Sequence, residues 1–460
     1  MLSTKSFYLF AITAVVTMGG LLFGFDMAVI SGVLPFVKTQ FVLSAAEEGW
    51  FVSSALVGCI LGVAFSGELS DRWGRKAMLT LSALLFLLSA IGTAGAPNFT
   101  LLVLARMLGG IGVGVASNVA PLYISEIAPA AVRGRLVTFY QLAITVGILA
   151  AYLTNAGLLS ISLSQGATGL GNLMDYLVLE EVWRGMFGLG AVPAVLFLAG
   201  LLFVPESPRW LVQKNRIEEG TRVLAKISSK AEAQADVSNI IKTSNQETGS
   251  YKELFSTKLR KPLVIGLLLP VFSQFSGINA VIYYGPRILN DAGIDLSNAL
   301  IGQIIFGLAN LVFTLIAIWK VDRLGRRPLY LVGSIGAALS LLFTGFSFYT
   351  GSTGFSLLLS IIVFLACFAF SIGPLKFVIA AEIFPNKIRG RAMALSIMAM
   401  WIADTIVGQV TPILLAWVGA AMAFWFFAAF CLCAFWVVLK LVPETKGKSL
   451  EEIQGMWAGH

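Results

Sequence analysis

Four charged side chains stand inside long apolar runs of this chain: Asp26, Arg106, Lys376 and Asp404. At the centre of a membrane span a charge costs about 2.5 to 3.5 kcal/mol on insertion scales, so each needs a partner or a wet cavity. An acid and a guanidinium in such surroundings can do proton chemistry. Close to Arg106 the Asp26 carboxylate is stabilised as the anion; away from it, in apolar surroundings, the neutral acid is favoured. Relative movement of the two therefore loads and releases a proton. Gly110, Gly112 and Gly114, in the run RMLGGIGVG that Arg106 opens, are expected to let this run approach the one carrying Asp26. Lys376 and Asp404 are expected to form a second ion pair, with Asp404 three residues beyond Trp401 and on about the same helix face. The single histidine is His460, so neither a histidine metal site nor a histidine relay is available. No metal and no cofactor is expected, and the four cysteines fall inside apolar runs, where no disulfide is expected.

The elements that must hold these side chains are membrane helices. With 57% hydrophobic residues, 12% charged residues and a mean hydropathy of +0.86, most of the chain cannot face water. Twelve stretches reach the roughly 20 residues that a crossing requires. They lie near 7–35, 48–68, 77–96, 100–124, 136–160 and 183–204, then near 262–290, 297–319, 328–349, 355–381, 392–418 and 421–442. The first carries Asp26 and lacks a small-residue cleavage site, so it reads as a retained span and not a signal peptide. Of 32 Lys and Arg, all but Lys38, Arg106, Arg184, Arg287 and Lys376 fall on one side. The positive-inside rule then puts both termini and the central loop in the cytoplasm and makes the net charge of +8 a topology signal, with no nucleic-acid partner expected.

Signatures repeat in order between the apolar runs. GELSDRWGRK at 67–76 is echoed by VDRLGRRP at 321–328, ISEIAPAAVRGR at 124–135 by AAEIFPNKIRGR at 380–391, and PESPRW from Pro205 by PETK from Pro443. Such repetition marks two parallel halves with a substrate site where they meet. The fold expected is an all-α integral membrane protein of twelve transmembrane helices in two six-helix pseudo-symmetric halves. Its parts are an N-terminal half at 1–210, a cytoplasmic helical segment at 211–260 that is loose around 228–250, a C-terminal half at 261–443 and a cytoplasmic tail at 444–460. A polar insert near 160–182 lies on the other side. Asp71, Glu126, Glu206, Asp322 and Glu382 stand near Arg75, Arg133, Arg209, Arg326 and Arg389 at helix ends, where Arg–carboxylate pairs and helix dipoles reinforce one another. These are expected to be gate salt bridges that form only while that side is closed and so bias the conformational equilibrium.

DRWGRK, the RGR turns, PESPR, the run QFSGINAVIYY at 274–284 and PETKGKSLEEI together resemble the sugar porter family of the major facilitator superfamily, over 19–453. The first span, with GGLLFGFDMAVISG, looks most like bacterial proton-coupled monosaccharide symporters. The resemblance implies that Asp26 is the proton acceptor and Arg106 its modulator. It also implies that Gln141, Gln274, Asn279 and Asn310 are the amides that contact the sugar. Phe23, Ile144, Tyr283, Tyr284, Phe368 and Trp401 then supply the aromatic and apolar lining or gate, together with Gly373 and Phe377 at the tenth-span turn. A monosaccharide needs such a mixture, because it presents hydroxyls all round and apolar C–H faces.

The chain departs from that pattern at several places. Ser273-Gln274 replaces two consecutive glutamines, Phe377 replaces a tryptophan and Met400 replaces an amide, while Lys376 and Asp404 are charged where relatives are uncharged. The helix breakers Gly277 and Gly373-Pro374 fall in segments expected to line the cavity. The expected activity is proton-coupled symport of a hexose or pentose across the cell inner membrane by a monomer in contact with lipid. A passive sugar or polyol facilitator is the alternative, and a non-transporting sugar sensor the next. An enzyme is not expected, since H-E-x-x-H, G-x-S-x-G and P-loop motifs are all missing.

Overall fold

The structure is a computed structural model that describes residues 4–129, 132–164, 171–244, 251–256, 259–352, 354–385, 388–444 and 446. Among the described residues twelve helices are long and apolar enough to cross a membrane: Ser6–Gln40, Ala45–Trp73, Arg75–Ala94, Phe99–Ile127, Arg133–Leu163, Val182–Phe203, Arg260–Asp291, Leu296–Ile318, Arg326–Tyr349, Phe355–Ile383, Arg389–Trp417 and Gly419–Leu441. They coincide with the twelve predicted stretches and are called spans one to twelve in this order. Apolar residues surround most of them with no pronounced polar face, which suits helices that meet other helices on one side and lipid on the other.

Their ends are marked by local chemistry. The Asn98 side chain accepts the Leu101 N–H (2.9 Å) ahead of span four, and Asp295 accepts the Asn298 N–H (3.2 Å) ahead of span eight. Between spans two and three, and between spans eight and nine, the repeated signature turns on a glycine of positive φ, Gly74 at 101° and Gly325 at 88°. Both glycines also leave room for a carboxylate. A Cβ on Gly74 would lie 2.2 Å from Glu206 Oε2, and one on Gly325 would lie 3.0 Å from Glu444 Oε2.

Two spans are broken where the sequence predicts. Span seven consists of Arg260–Phe275 and Ile278–Asp291, joined through Gly277 with φ 85°. A Cβ there would lie 2.6 Å from the Phe427 ring, so the position tolerates a side chain on neither ground. Span ten passes from Phe355–Cys367 through a π-helical turn, Phe368–Ile372, into Gly373–Ile383. The Gly373 N–H bonds the Phe368 carbonyl, and Pro374, which has no N–H, follows at once.

The chain divides into two compact units, one of Met1–Val29, Val57–Thr154 and Ile161–Glu247, the other of Ile30–Leu56, Asn155–Ser160 and Thr248–His460. In the first unit, spans two and four pack closely because Gly58 and Gly62 face Gly110 and Gly114, and spans one and five do so through Gly20, Gly24 and Gly147. The central segment forms helices Pro208–Gln213, Ile217–Ala225, Lys230–Ser244 and Tyr251–Leu254. The loose stretch predicted around 228–250 is thus corrected: 230–244 is helical, held by Val212, Leu224, Ala233 and Val237 in a small core. Residues 245–250, most of the tail and His460 lie outside the described residues.

Candidate functional site

In the first unit Asp26 of span one and Arg106 of span four meet, with Arg106 Nη1 3.4 Å from Asp26 Oδ1 and 3.3 Å from the Asp26 carbonyl oxygen. Arg106 is 1% exposed, and its guanidinium lies over the Phe187 ring at 5.4 Å from the centroid. Charge-assisted bonds between such groups usually run about 2.7 to 2.9 Å, so this contact is loose. Asp26 Oδ2 accepts no hydrogen bond from the described residues and sits beside a small pocket lined by Leu22, Phe25, Ser89, Thr93 and Phe187 among others.

The glycines do not make this contact as expected. Gly110 and Gly114 face span two and Gly112 faces Ser82, Leu85 and Phe86 of span three. Gly109 faces the acid instead: a Cβ there would meet Ser89 Oγ at 2.4 Å and Asp26 Oδ1 at 3.6 Å. Also in this unit, Gln141 is exposed on span five, and the carbonyl of Ile144 one turn on packs against Gly24, next to Phe23.

The second unit joins two of the remaining amides, Gln274 and Asn279, in one network. Asn279 Nδ2 donates to Asp404 Oδ1 (2.7 Å) and to Gln274 Oε1 (2.9 Å), and the Tyr283 hydroxyl donates to Asp404 Oδ2 (3.2 Å). Lys376 Nζ donates to Ser273 Oγ (2.9 Å) and lies over the Phe377 and Phe368 rings, 5.2 and 6.0 Å from their centroids. The predicted Lys376–Asp404 ion pair is therefore corrected: among the described residues no salt bridge joins them. Span seven lies between the two demands, giving the acid its donors and the ammonium an acceptor. Tyr284 is wholly buried, with its hydroxyl on the Gly408 carbonyl (2.7 Å). Trp401 is 1% exposed, Asn310 is partly exposed on span eight, and Gly373 is packed against Phe368.

Asp71 pairs with Arg75 four residues on, as expected, whereas Glu126 and Glu382 reach across loops to Arg75 and Arg326 and not to Arg133 and Arg389. Arg75 grips Glu126 with Nε to Oε2 and Nη2 to Oε1, both 3.0 Å, and Asp71 with Nη1 (3.0 Å). Glu206 accepts the N–H groups of Arg75 (2.9 Å) and Lys76 (3.1 Å) at the start of span three. The second unit repeats this: Arg326 Nε donates to Glu382 (3.2 Å), and Glu444 accepts the N–H groups of Arg326 (3.1 Å) and Arg327 (3.2 Å). Arg133 and Arg209 are exposed and join no salt bridge among the described residues, while Arg389 donates to the Phe384 carbonyl (3.1 Å). The glycine turns before Arg75 and Arg326 aim these two arginines at the neighbouring helix ends, which sequence distance does not report. The Asp322 side chain lies outside the described residues.

Two residues were missed. Glu444 was visible in the repeated Pro-Glu. Glu48, wholly buried at the start of span two, accepts a hydrogen bond from Arg287 Nη1 (2.6 Å) and forms a salt bridge with Lys38 Nζ (2.9 Å). Its signal was the pair of basic residues on the wrong side for topology. Arg184, another of that set, donates to Glu181 and to the Ala94 and Ala96 carbonyls (3.0 and 2.7 Å).

Twelve membrane-length helices, an acid and an arginine paired inside them, an amide cluster on a broken span and duplicated Arg–Glu pairs at helix ends are the features of a membrane transporter. The profile of the family described as "Sugar (and other) transporter" matches residues 12–457, and the chain belongs to that family. It is 39% identical to the D-xylose-proton symporter of Escherichia coli (strain K12) over 487 residues, covering 98% of this chain and 96% of that one. It is 38% identical to the arabinose-proton symporter of Bacillus subtilis (strain 168), covering 98% and 95%. The partially occluded inward open xylose transporter from E. coli matches with a TM-score of 0.84 at 37% identity, over 96% of this chain and 100% of that one. The fold is the twelve-helix fold of the major facilitator superfamily, and the protein is a multi-pass membrane protein.

Proposed function

We propose that this protein carries a monosaccharide across the cytoplasmic membrane together with protons, by alternating access. The observation that carries the reading is the pairing of Asp26 with Arg106 inside membrane spans. Protonation neutralises Asp26 and releases it from the guanidinium; deprotonation restores the attraction. Any conformational change that alters their separation is thereby coupled to proton occupancy. A membrane potential adds about 2.3 kcal/mol per charge per 100 mV to the driving force. Named proton symporters for xylose, arabinose and galactose among the relatives support the same reading.

In this reading Gln141, Gln274, Asn279 and Asn310 contact the sugar's hydroxyls, with Phe23, Ile144, Tyr283, Phe368, Phe377 and Trp401 around its apolar faces. The halves 1–210 and 261–443 move against each other, both termini face the cytoplasm, and the monomer works embedded in lipid. The two Arg–Glu latches hold the cytoplasmic helix ends of each half. The test is uptake of D-xylose, L-arabinose and D-galactose into proteoliposomes with and without an inward proton gradient. Accumulation of one of them above equilibrium only when the gradient is present supports the reading; equilibration unaffected by the gradient points to a facilitator.

A further inference from the structure

We propose that Asp404 fixes the hydrogen-bond polarity of the amide cluster on span seven and thereby selects which substrate hydroxyls are accepted. The inference rests on the sugar-binding reading of that cluster. An ionised carboxylate only accepts hydrogen bonds. With Asp404 Oδ1 2.7 Å away, Asn279 must turn its NH2 group to the acid, because the opposite orientation sets two acceptors against each other. The same nitrogen's second hydrogen goes to Gln274 Oε1 (2.9 Å), so the orientation of Gln274 is fixed in turn. The other oxygen of Asp404 takes the Tyr283 hydroxyl proton (3.2 Å). Lys376 donates to Ser273 Oγ (2.9 Å), and among the described residues no hydrogen bond or salt bridge joins it to these oxygens.

A count of donors and acceptors gives the consequence. Both N–H groups of Asn279 are spent, so its carbonyl oxygen is the atom it offers a ligand. The carbonyl of Gln274 is engaged, so its NH2 group is what it offers. A sugar hydroxyl that meets Asn279 donates to it, and one that meets Gln274 accepts from it. Fluorine accepts but cannot donate, and hydrogen does neither. A neutral amide at 404 carries donor and acceptor together and permits the whole chain to run in either direction. Asp404 is thus a positioning residue that makes the cluster directional.

The test uses whichever of D-xylose, L-arabinose and D-galactose the wild-type protein transports in proteoliposomes, together with its monodeoxy and monodeoxyfluoro derivatives, as competitors of counterflow. At the ring position that meets Asn279, the wild-type protein is expected to bind the fluoro and deoxy analogues equally poorly, about tenfold to a hundredfold below the parent sugar. Asp404→Asn is expected to improve the fluoro analogue several-fold over the deoxy analogue at that position, a reversal that loss of packing alone does not produce. Gln274→Glu is an independent check, since it keeps an oxygen for Asn279 and exchanges the ligand-facing donor for an acceptor. It is expected to abolish tolerance of the fluoro analogue at the position that meets Gln274. Analogue profiles unchanged by Asp404→Asn at every ring position would overturn the proposal. Unchanged profiles in Gln274→Glu would do so where Asp404→Asn does not fold. Failure of wild type to transport any of the three sugars strikes at the sugar-transport reading instead.

Discussion

Arg75 and Glu126, from the start of span three and the end of span four, hold each other through two 3.0 Å hydrogen bonds with side chains only 5% and 4% exposed. Arg326 and Glu382 occupy the matching stations of the second unit. Removing one member of a buried pair strands the other charge, at a cost of about 3 to 5 kcal/mol. Glu126→Gln is therefore expected to lower the thermal midpoint in detergent clearly. Asp71→Asn is expected to cost under about 1 kcal/mol, because the Asp71 side chain is 72% exposed although it touches the same guanidinium. Equal midpoints for the two variants would remove Glu126 from its place at the centre of the cluster.

Glu48 anchors two cations that the topology rule leaves unexplained. Its side chain is 1% exposed, against 41% for Lys38 and 19% for Arg287. Glu48→Gln is expected to destabilise by about 3 to 5 kcal/mol, as it removes the buried anion from a guanidinium and an ammonium. Lys38→Met, at the wet end of the cluster, is expected to cost under about 1 kcal/mol. Unfolding followed by tryptophan fluorescence gives the order, and a Lys38 variant as damaging as the Glu48 variant would contradict it.

Gly277 meets two constraints at once, a left-handed backbone and the Phe427 ring. A side chain in that backbone region costs about 1 to 2 kcal/mol by itself, and the ring contact adds to it. Gly277→Ala is expected to slow transport and lower the midpoint. Phe427→Ala removes the clash but not the φ strain. The double variant should therefore be less destabilised than the sum of the singles, and strict additivity would show that the ring does not limit this site.

Much of this was legible beforehand, and what was not has a common cause. All twelve spans, the breaks at Gly277 and Gly373-Pro374, and the Asp26–Arg106 pair follow from hydropathy, helix-breaking residues and the cost of charge in an apolar run. Partner choice was less legible. Glu126 stands seven residues before Arg133 but pairs with Arg75, and Asp404 turned to Asn279 and Tyr283 instead of Lys376. Sequence reports that a buried charge needs a partner. It does not report where a glycine turn aims a guanidinium, or that an amide and a phenol donate to a buried acid where an ammonium stands near by.

The central claim is that Asp26 carries the proton whose movement drives sugar uphill. Accumulation of the transported sugar in proteoliposomes, measured under an inward proton gradient for wild type and Asp26→Asn beside sugar-for-sugar exchange without a gradient, tests it most directly. The account predicts that the variant exchanges sugar but never accumulates it above equilibrium. Accumulation by Asp26→Asn equal to that of the wild-type protein would contradict it.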